Sequence, residues 1–299
     1  MMYHQPVLLN ESVEGLNIHP DGIYVDATFG GGGHSKFILQ QLNKGMLFAF
    51  DQDADAASNT IDDQRFVLIE QNFRFMKKFL RLEGVEQVDG ILADLGVSSY
   101  QFDTADRGFS IRQEGPLDMR MNRHQSLSAK EVINDFELSD LCRIFKHYGE
   151  LRNAFSLAKK IDESRQQCPI ESTEDLIKVV SSQFPSHKKN KLLAQLFQAI
   201  RIEVNDELKA LKALLIQSID LLKEGGRLSI ISYHSLEDRM VKNIIKSGNF
   251  EGQIETDFFG TPKVVLKPIN RKPIVASEQE ISENPRSRSA KLRISEKIK

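Results

Sequence analysis

The chain has 299 residues, with 40 Lys or Arg against 42 Asp or Glu, so its formal net charge of −2 creates no global attraction to nucleic acid, and any such partner must meet a local patch. The length fits about two domains with a large core. Two cysteines, Cys142 and Cys168, with no CxxC pair, exclude a disulfide framework and a four-cysteine zinc site, and no metal is expected.

The opening stretch MMYHQPVLLNESVEGL lacks a basic segment before a long apolar core, and no run reaches about 18 apolar residues, which predicts a soluble cytoplasmic protein without a membrane partner. Ile23 Tyr24 Val25 reads as a buried strand ending in Asp26, followed by four glycines, Gly30 to Gly33, and a helical pattern from His34 to Leu42. Strand, glycine loop and helix in that order form a nucleotide-binding turn, because glycine lets backbone approach a ligand and the helix start offers free N–H groups. A GxGxxG fingerprint begun at Gly30 meets Ser35 at its third glycine, and no GK[ST] follows. An acidic strand end with glycines four and six residues later, Asp26, Gly30 and Gly32, fits an S-adenosylmethionine loop better, with Asp26 accepting near the ligand amine. A turn without a ligand is the alternative.

A second strand, Gly45 to Phe50, ends in Asp51, placed to accept both ribose hydroxyls of an adenosine, whereas Asp53 and Asp55 fit helix caps. Strand three, Arg65 to Glu70, leads to Phe73, which suits either an adenine contact or core packing. Val88 to Asp94 is strand four. A carboxylate at the end of the strand beside strand one faces the ligand crevice, so catalysis is expected at Asp94, with a turn cap as the alternative. Alternating strands and helices predict an α/β fold with a doubly wound, mostly parallel sheet.

From about Thr104 the pattern changes. Arg107 to Met121 is aperiodic, and helices follow whose starts are marked by Ser128 with Glu131, by Ser139, and by Ser172 with Asp175. This all-helical stretch predicts an inserted domain, 104–205, within a nucleotide-binding domain formed by 1–103 and 206–299. A helix from Glu207 to Lys223 then stops at Gly225 Gly226, and RLSIIS restores a strand. Tyr233 to Arg239 is dense in polar groups at that strand's end, which suits substrate contact or a helix cap by Ser235. The last 38 residues hold ten Lys or Arg, from Lys263 to Lys299, against four Glu. VVLK and KLRIS there predict a closing hairpin that carries arginines toward RNA.

The motifs DATFGGGGHS, DLGVSS, RGFS, GPLDMRM, FQAIRIEVNDEL, ISYHSLEDR and ENPRSRSAKLR together resemble the bacterial MraW or RsmH family of 16S ribosomal RNA methyltransferases, from His4 to Arg293. The resemblance implies a Rossmann-like class I S-adenosyl-L-methionine-dependent methyltransferase that modifies N4 of a cytidine near the decoding centre of the small ribosomal subunit. It implies that the cofactor is held by Gly32, Gly33, His34, Asp51, Phe73, Asp94 and Gln101. The chain departs from the family pattern in two places: Tyr233 stands where Phe is usual, and Leu151 Arg152 Asn153 follow the YGE segment in place of Glu-Arg-Phe. The expected partner is 16S rRNA in the small subunit, and a homodimer is left open. A nicotinamide-dependent oxidoreductase and a non-catalytic RNA-binding assembly factor are the rival readings.

Overall fold

The computed structural model describes residues 6–298; His4, where the resemblance begins, and Lys299 of the basic end lie outside the described residues. In chain order the first elements are α1 (Leu9–Glu14), β1 (Ile23–Asp26), α2 (Gly33–Leu39), β2 (Met46–Phe50), β3 (Phe66–Ile69), α3 (Met76–Leu82) and β4 (Val88–Asp94). Then come the helices α4 (Ser99–Asp103), α5 (Ala129–Asp135), α6 (Leu138–His147), α7 (Ala154–Arg165), α8 (Thr173–Val180), α9 (Lys189–Asn205) and α10 (Glu207–Leu221). The chain closes with β5 (Leu222–Ser232), α11 (Ser235–Ser247), β6 (Leu266–Pro268), α12 (Glu278–Glu283) and β7 (Lys291–Lys297). It divides into two units, one formed by residues up to Gly96 and from Leu208 onward, the other by Val97–Glu207.

The first unit is built on a seven-stranded sheet in the order β3-β2-β1-β4-β5-β7-β6. The pairings from β3 to β5 are parallel, and those of β5 with β7 and of β6 with β7 are antiparallel. Successive strand residues point to opposite faces, so each face collects its own apolar set. Val25, Phe48, Phe50 and Ile91 pack with Leu211, Leu214, Val241 and Ile244, while Tyr24, Leu47, Ala49 and Leu92 pack with Val13, Leu16, Ile38 and Leu39. Both faces are therefore helix-covered, as a doubly wound sheet requires. The chain order reverses between β1 and β4, which opens a ligand crevice at the carboxyl ends of those two strands.

Three local readings change. The helix expected to reach Lys223 ends at Leu221, and Gly225 and Gly226 lie within β5. Gly225 takes φ +80°, and the pairing with β4 jumps from Leu222 to Arg227, so the glycines absorb a bulge instead of capping a helix. The helix expected to start at Ser139 begins at Leu138 after Glu137, and the cap offered for Ser235 as the alternative to substrate contact is made by His234.

The second unit is helical, with no named strand among its described residues. Its core gathers Val132, Ile133, Leu141, Ile144, Leu157, Ile161, Leu176, Leu196 and Ile200. Ser128 with Glu131 and Ser172 with Asp175 form capping boxes as their spacing predicts. The aperiodic stretch is ordered by buried polar groups instead of by repeating structure. Arg107 is 1% exposed and donates to the Arg120 and Met121 carbonyls, while Asn205 brackets Met119 and Met121 through its amide.

Candidate cofactor and catalytic site

The glycine loop is shaped by two kinds of constraint. Gly30 and Gly32 adopt φ +50° and +73°, conformations that favour glycine. A Cβ on Gly32 would stand 2.9 Å from the Phe29 ring, and one on Gly33 would stand 2.1 Å from Pro6 Cγ, so both positions exclude a side chain for packing reasons. A Cβ on Gly31 would meet nothing within 4 Å. Among the described residues the outer side of Gly31 thus leaves room for a ligand, unlike Gly32 and Gly33, a distinction that identical letters conceal.

Asp51 leaves the tip of β2 and turns into this loop. Its Oδ2 accepts from the Gly30 amide at 2.8 Å and its Oδ1 from the Asp53 amide at 2.9 Å. Asn59 donates to the Gly30 carbonyl at 3.0 Å from the other side. Burial raises the Asp51 carboxyl to about 6, against the two amide bonds that lower it, with Asp53 and Asp26 adding to the rise. Each oxygen keeps a further lone pair, so the residue can accept a pair of vicinal hydroxyls. Asp53 caps the short 3-10 helix Ala54–Asn59, as its position predicts.

Asp26 does not stand where the sequence reading put it. It is fully buried, its Oδ2 accepts from the Ser35 hydroxyl at 2.7 Å and its Oδ1 from the Thr28 amide at 3.1 Å. Burial pushes its carboxyl above the ordinary value. It braces the loop from within, and Ser35, at the third position of the failed dinucleotide fingerprint, is its partner. His34 is likewise turned inward: its Nε2 donates to the Val7 carbonyl at 3.2 Å, and burial lowers its pKa, opposed by the nearby Asp94 and by the Val7 bond. Only the backbone of His34 is left to face a ligand.

Asp94 ends β4 beside this loop, and its amide donates to Thr28 Oγ1 at 2.7 Å. Its carboxylate is partly accessible yet closely surrounded by protein. Burial raises its pKa to about 6; His34 and a hydrogen bond from Tyr233 work against that rise, while Asp26 and Glu237 add to it. Tyr233, just past β5, donates its phenol proton to Asp94 Oδ1 at 2.7 Å. Glu237 is 3% exposed and accepts from the Tyr233 amide at 2.9 Å and the His234 amide at 3.3 Å, which holds the turn between β5 and α11. Phe73 opens the short helix Phe73–Phe75 and packs, partly buried, on the sheet core. In the second unit, Gln101 turns its side-chain carbonyl back to the Ser98 amide at 3.0 Å and completes a capping box for α4.

The basic end is less available than its composition suggests. Arg293 binds Asp238 at 2.7 Å, Lys291 approaches the same carboxylate at 3.5 Å, and Lys297 donates to the Ile219 and Leu222 carbonyls. Lys263, Lys267, Arg271, Lys272 and Arg288 are exposed. The hairpin expected from VVLK and KLRIS forms only in part: KLRIS pairs along β5, while Leu266 and Lys267 pair antiparallel with Lys297 and Glu296 just beyond it, across a long connection carrying α12 in place of a tight turn.

A sheet with its switch point between β1 and β4, a glycine loop after β1 and carboxylates at the tips of β2 and β4 define a Rossmann-like α/β enzyme that takes a nucleoside-bearing cofactor. The sequence pattern of the MraW methylase family matches residues 1–298, and the chain belongs to that family. It is 57% identical over 299 residues to a protein of Flavobacterium johnsoniae named ribosomal RNA small subunit methyltransferase H, covering 100% of this chain and 99% of that one. A protein of the same name from Amoebophilus asiaticus is 56% identical over 297 residues, covering 99% and 96%. Among solved structures, an rRNA methylase from Streptococcus thermophilus aligns over 100% of this chain and 99% of its own, with 13% identity and a TM-score of 0.45. A putative methyltransferase from Streptococcus mutans in complex with SAH aligns over 100% of both chains, with 14% identity and a TM-score of 0.42.

Proposed function

We propose that this chain methylates N4 of a cytidine near the decoding centre in 16S rRNA of the small ribosomal subunit, using S-adenosyl-L-methionine. The observation that carries the reading is Asp94: a carboxylate at the switch point, raised to about 6 by burial, fixed on one oxygen by Tyr233 and placed beside the glycine loop. Family membership and relatives named small-subunit rRNA methyltransferases support the substrate class. Neither an oxidoreductase nor a non-catalytic factor has support from either.

The residues present fit the cofactor. Asp51 would take the ribose hydroxyls, the open side of Gly31 and the backbone of Gly32, Gly33 and His34 would follow the amino-acid part, and Phe73 would flank the adenine; Gln101 joins this set on the family resemblance alone. Bound S-adenosylmethionine would supply an electrophilic sulfonium methyl. The chain's own work lies in the amine. A cytosine N4 lone pair is delocalised into its ring and is a poor nucleophile. A carboxylate at Asp94 that accepts an N4–H bond draws the amine toward tetrahedral geometry, and it offsets the positive charge that develops on N4. Holding the two reactants aligned can contribute about 7 to 11 kcal/mol. The base must be unstacked to enter, which suits structured ribosomal RNA. All residues invoked belong to one chain, so the reading does not require a homodimer. No helix among the described residues is long and apolar enough to cross a membrane, and we place the reaction in the cytoplasm, with the ribosomal subunits.

The deciding experiment is transfer of radiolabelled methyl to purified small subunits, followed by nucleoside digestion. Label in N4-methylcytidine is expected, and label in any other nucleoside, or none, overturns the reading.

A further inference from the structure

Tyr233 lies 139 positions from Asp94 in sequence, yet β4 and β5 are parallel neighbours with Asp94 opposite Ile231, so the two side chains emerge at the same end of the sheet. The phenol meets Asp94 Oδ1 at 2.7 Å, while Oδ2 has no hydrogen-bond partner among the described residues. Two features keep the ring in place. The Cβ position of Gly96, at φ +99°, is 3.7 Å from Tyr233 Cδ2, so a glycine underlies one side of the ring. The Tyr233 amide is tied to Glu237, which is the third residue of α11 and pairs with the N-cap His234 in a capping box. A phenylalanine, the usual residue here in the family pattern, would fill the same apolar space, so what Tyr233 adds in this chain is the hydroxyl bond to the carboxylate.

We propose that Tyr233 is a positioning residue for the methyl transfer: by donating to Oδ1 it fixes the rotation of the Asp94 carboxylate and presents Oδ2 to the target amine. The inference rests on the role given to Asp94 above. The titratable groups around that carboxylate are His34 on α2, Asp26 on β1 and Glu237 on α11, with Glu280 on α12 acting on the phenol. Burial, followed by Asp94 and Glu237, holds the phenol far above its ordinary pKa, so it is a neutral donor throughout the neutral range. A neutral donor favours the carboxylate form of its acceptor, and Tyr233 therefore works with His34 against burial, Asp26 and Glu237.

Tyr233→Phe keeps the ring and deletes the donor. Carbon-13 NMR titration of the Asp94 carboxyl in cofactor-free protein is expected to show its pKa moving up by roughly one unit, the scale of one hydrogen bond to a charged group. Incorporation of 3-fluorotyrosine at position 233, a stronger donor, should move it down. In single-turnover methylation of small subunits, the acid limb of Tyr233→Phe should shift upward by the same amount, with cofactor KM unchanged and a rate deficit that persists at high pH, where Asp94 is ionised but no longer held in rotation. A purely structural role would lower the rate without moving the acid limb. An Asp94 titration unmoved in both variants, or an active wild type whose acid limb stays put in Tyr233→Phe, overturns the proposal alone; a wild type inactive on small subunits overturns the methyltransferase reading on which it rests.

Discussion

The Gly30 amide donates to Asp51 Oδ2 at 2.8 Å, so the glycine loop and the tip of β2 share one carboxylate and are positioned as a single body. In the free protein burial raises that carboxyl to about 6. Ribose hydroxyls donate to the ionised form, so cofactor affinity should rise with pH through about 6 and level off above it. Asp51→Asn should weaken S-adenosylmethionine binding by roughly 10- to 100-fold, the worth of about 1.5 to 3 kcal/mol for hydrogen bonds to a charged acceptor, and should abolish the pH dependence. Calorimetric titration between pH 5 and 8 checks both, and an affinity that is flat with pH in the wild type would remove Asp51 from the ribose.

The loop glycines separate packing from ligand contact. Gly32→Ala combines φ +73° with a Cβ 2.9 Å from the Phe29 ring, so it should lower the melting temperature, by about 1 to 3 kcal/mol of stability, as well as affinity. Gly31→Ala meets no protein atom within 4 Å and should leave Tm nearly unchanged while it weakens cofactor binding. If Gly31→Ala binds S-adenosylmethionine as the wild type does, the ligand does not follow the open side of the loop.

Much of this frame is legible in the sequence because it depends on local rules. Strand β4 matches its apolar run from Val88 to Asp94, and the capping boxes at Ser128 and Ser172 follow from three-residue spacings. What is not legible depends on partners distant in the chain. Nothing near Asp26 announces that Ser35 and full burial will turn it inward, nor does anything near Gly33 announce Pro6. The pairing of Tyr233 with Asp94 requires knowing that β4 and β5 are neighbours. Gly225 and Gly226 read as a helix stop because glycine ends helices and makes bulges alike, and only strand register decides between them.

The C-terminal cations divide into two functional groups. Arg293 and Lys291 flank Asp238, whose burial works to raise its carboxyl but whose cationic neighbours hold it below the ordinary value. That contribution to stability is present above the unfolded carboxylate range and is lost as pH falls through the lowered folded value. Arg293→Ala should therefore lower Tm at pH 7 and lose much of its effect in acid. Arg271→Ala with Lys272→Ala, at exposed positions, should leave Tm unchanged and reduce the slope of log affinity against log salt for small-subunit RNA by roughly 1.4 to 1.8. An unaltered salt slope would show these two cations to be bystanders.

Asp94→Asn should raise stability and lower turnover together. The folded carboxyl titrates at about 6 against 3.8 for the free group, so between those values the folded state binds more protons than the unfolded one. Keeping Asp94 ionised thus costs stability that grows as pH rises through this window and is fully expressed above about 6. A shift of about two units corresponds to at most about 3 kcal/mol, and Asn, nearly the same size and uncharged, should recover roughly 1 to 3 kcal/mol of it at pH 7.5. Chemistry should move the other way. Asn offers a neutral acceptor, and its amide can also turn N–H donors toward the target amine, so it neither draws the amine toward tetrahedral geometry nor offsets the charge on N4. Removing one such electrostatic contact typically costs about 10² or more in rate. Single-turnover methylation of small subunits at saturating S-adenosylmethionine isolates that step from weakened cofactor binding, and thermal unfolding of the same sample at pH 5 and 7.5 reads the stability. A more stable variant at pH 7.5 with turnover at least 10² slower is expected. A rate within about threefold of wild type would remove Asp94 from the chemistry and leave its raised pKa as the signature of a buried turn.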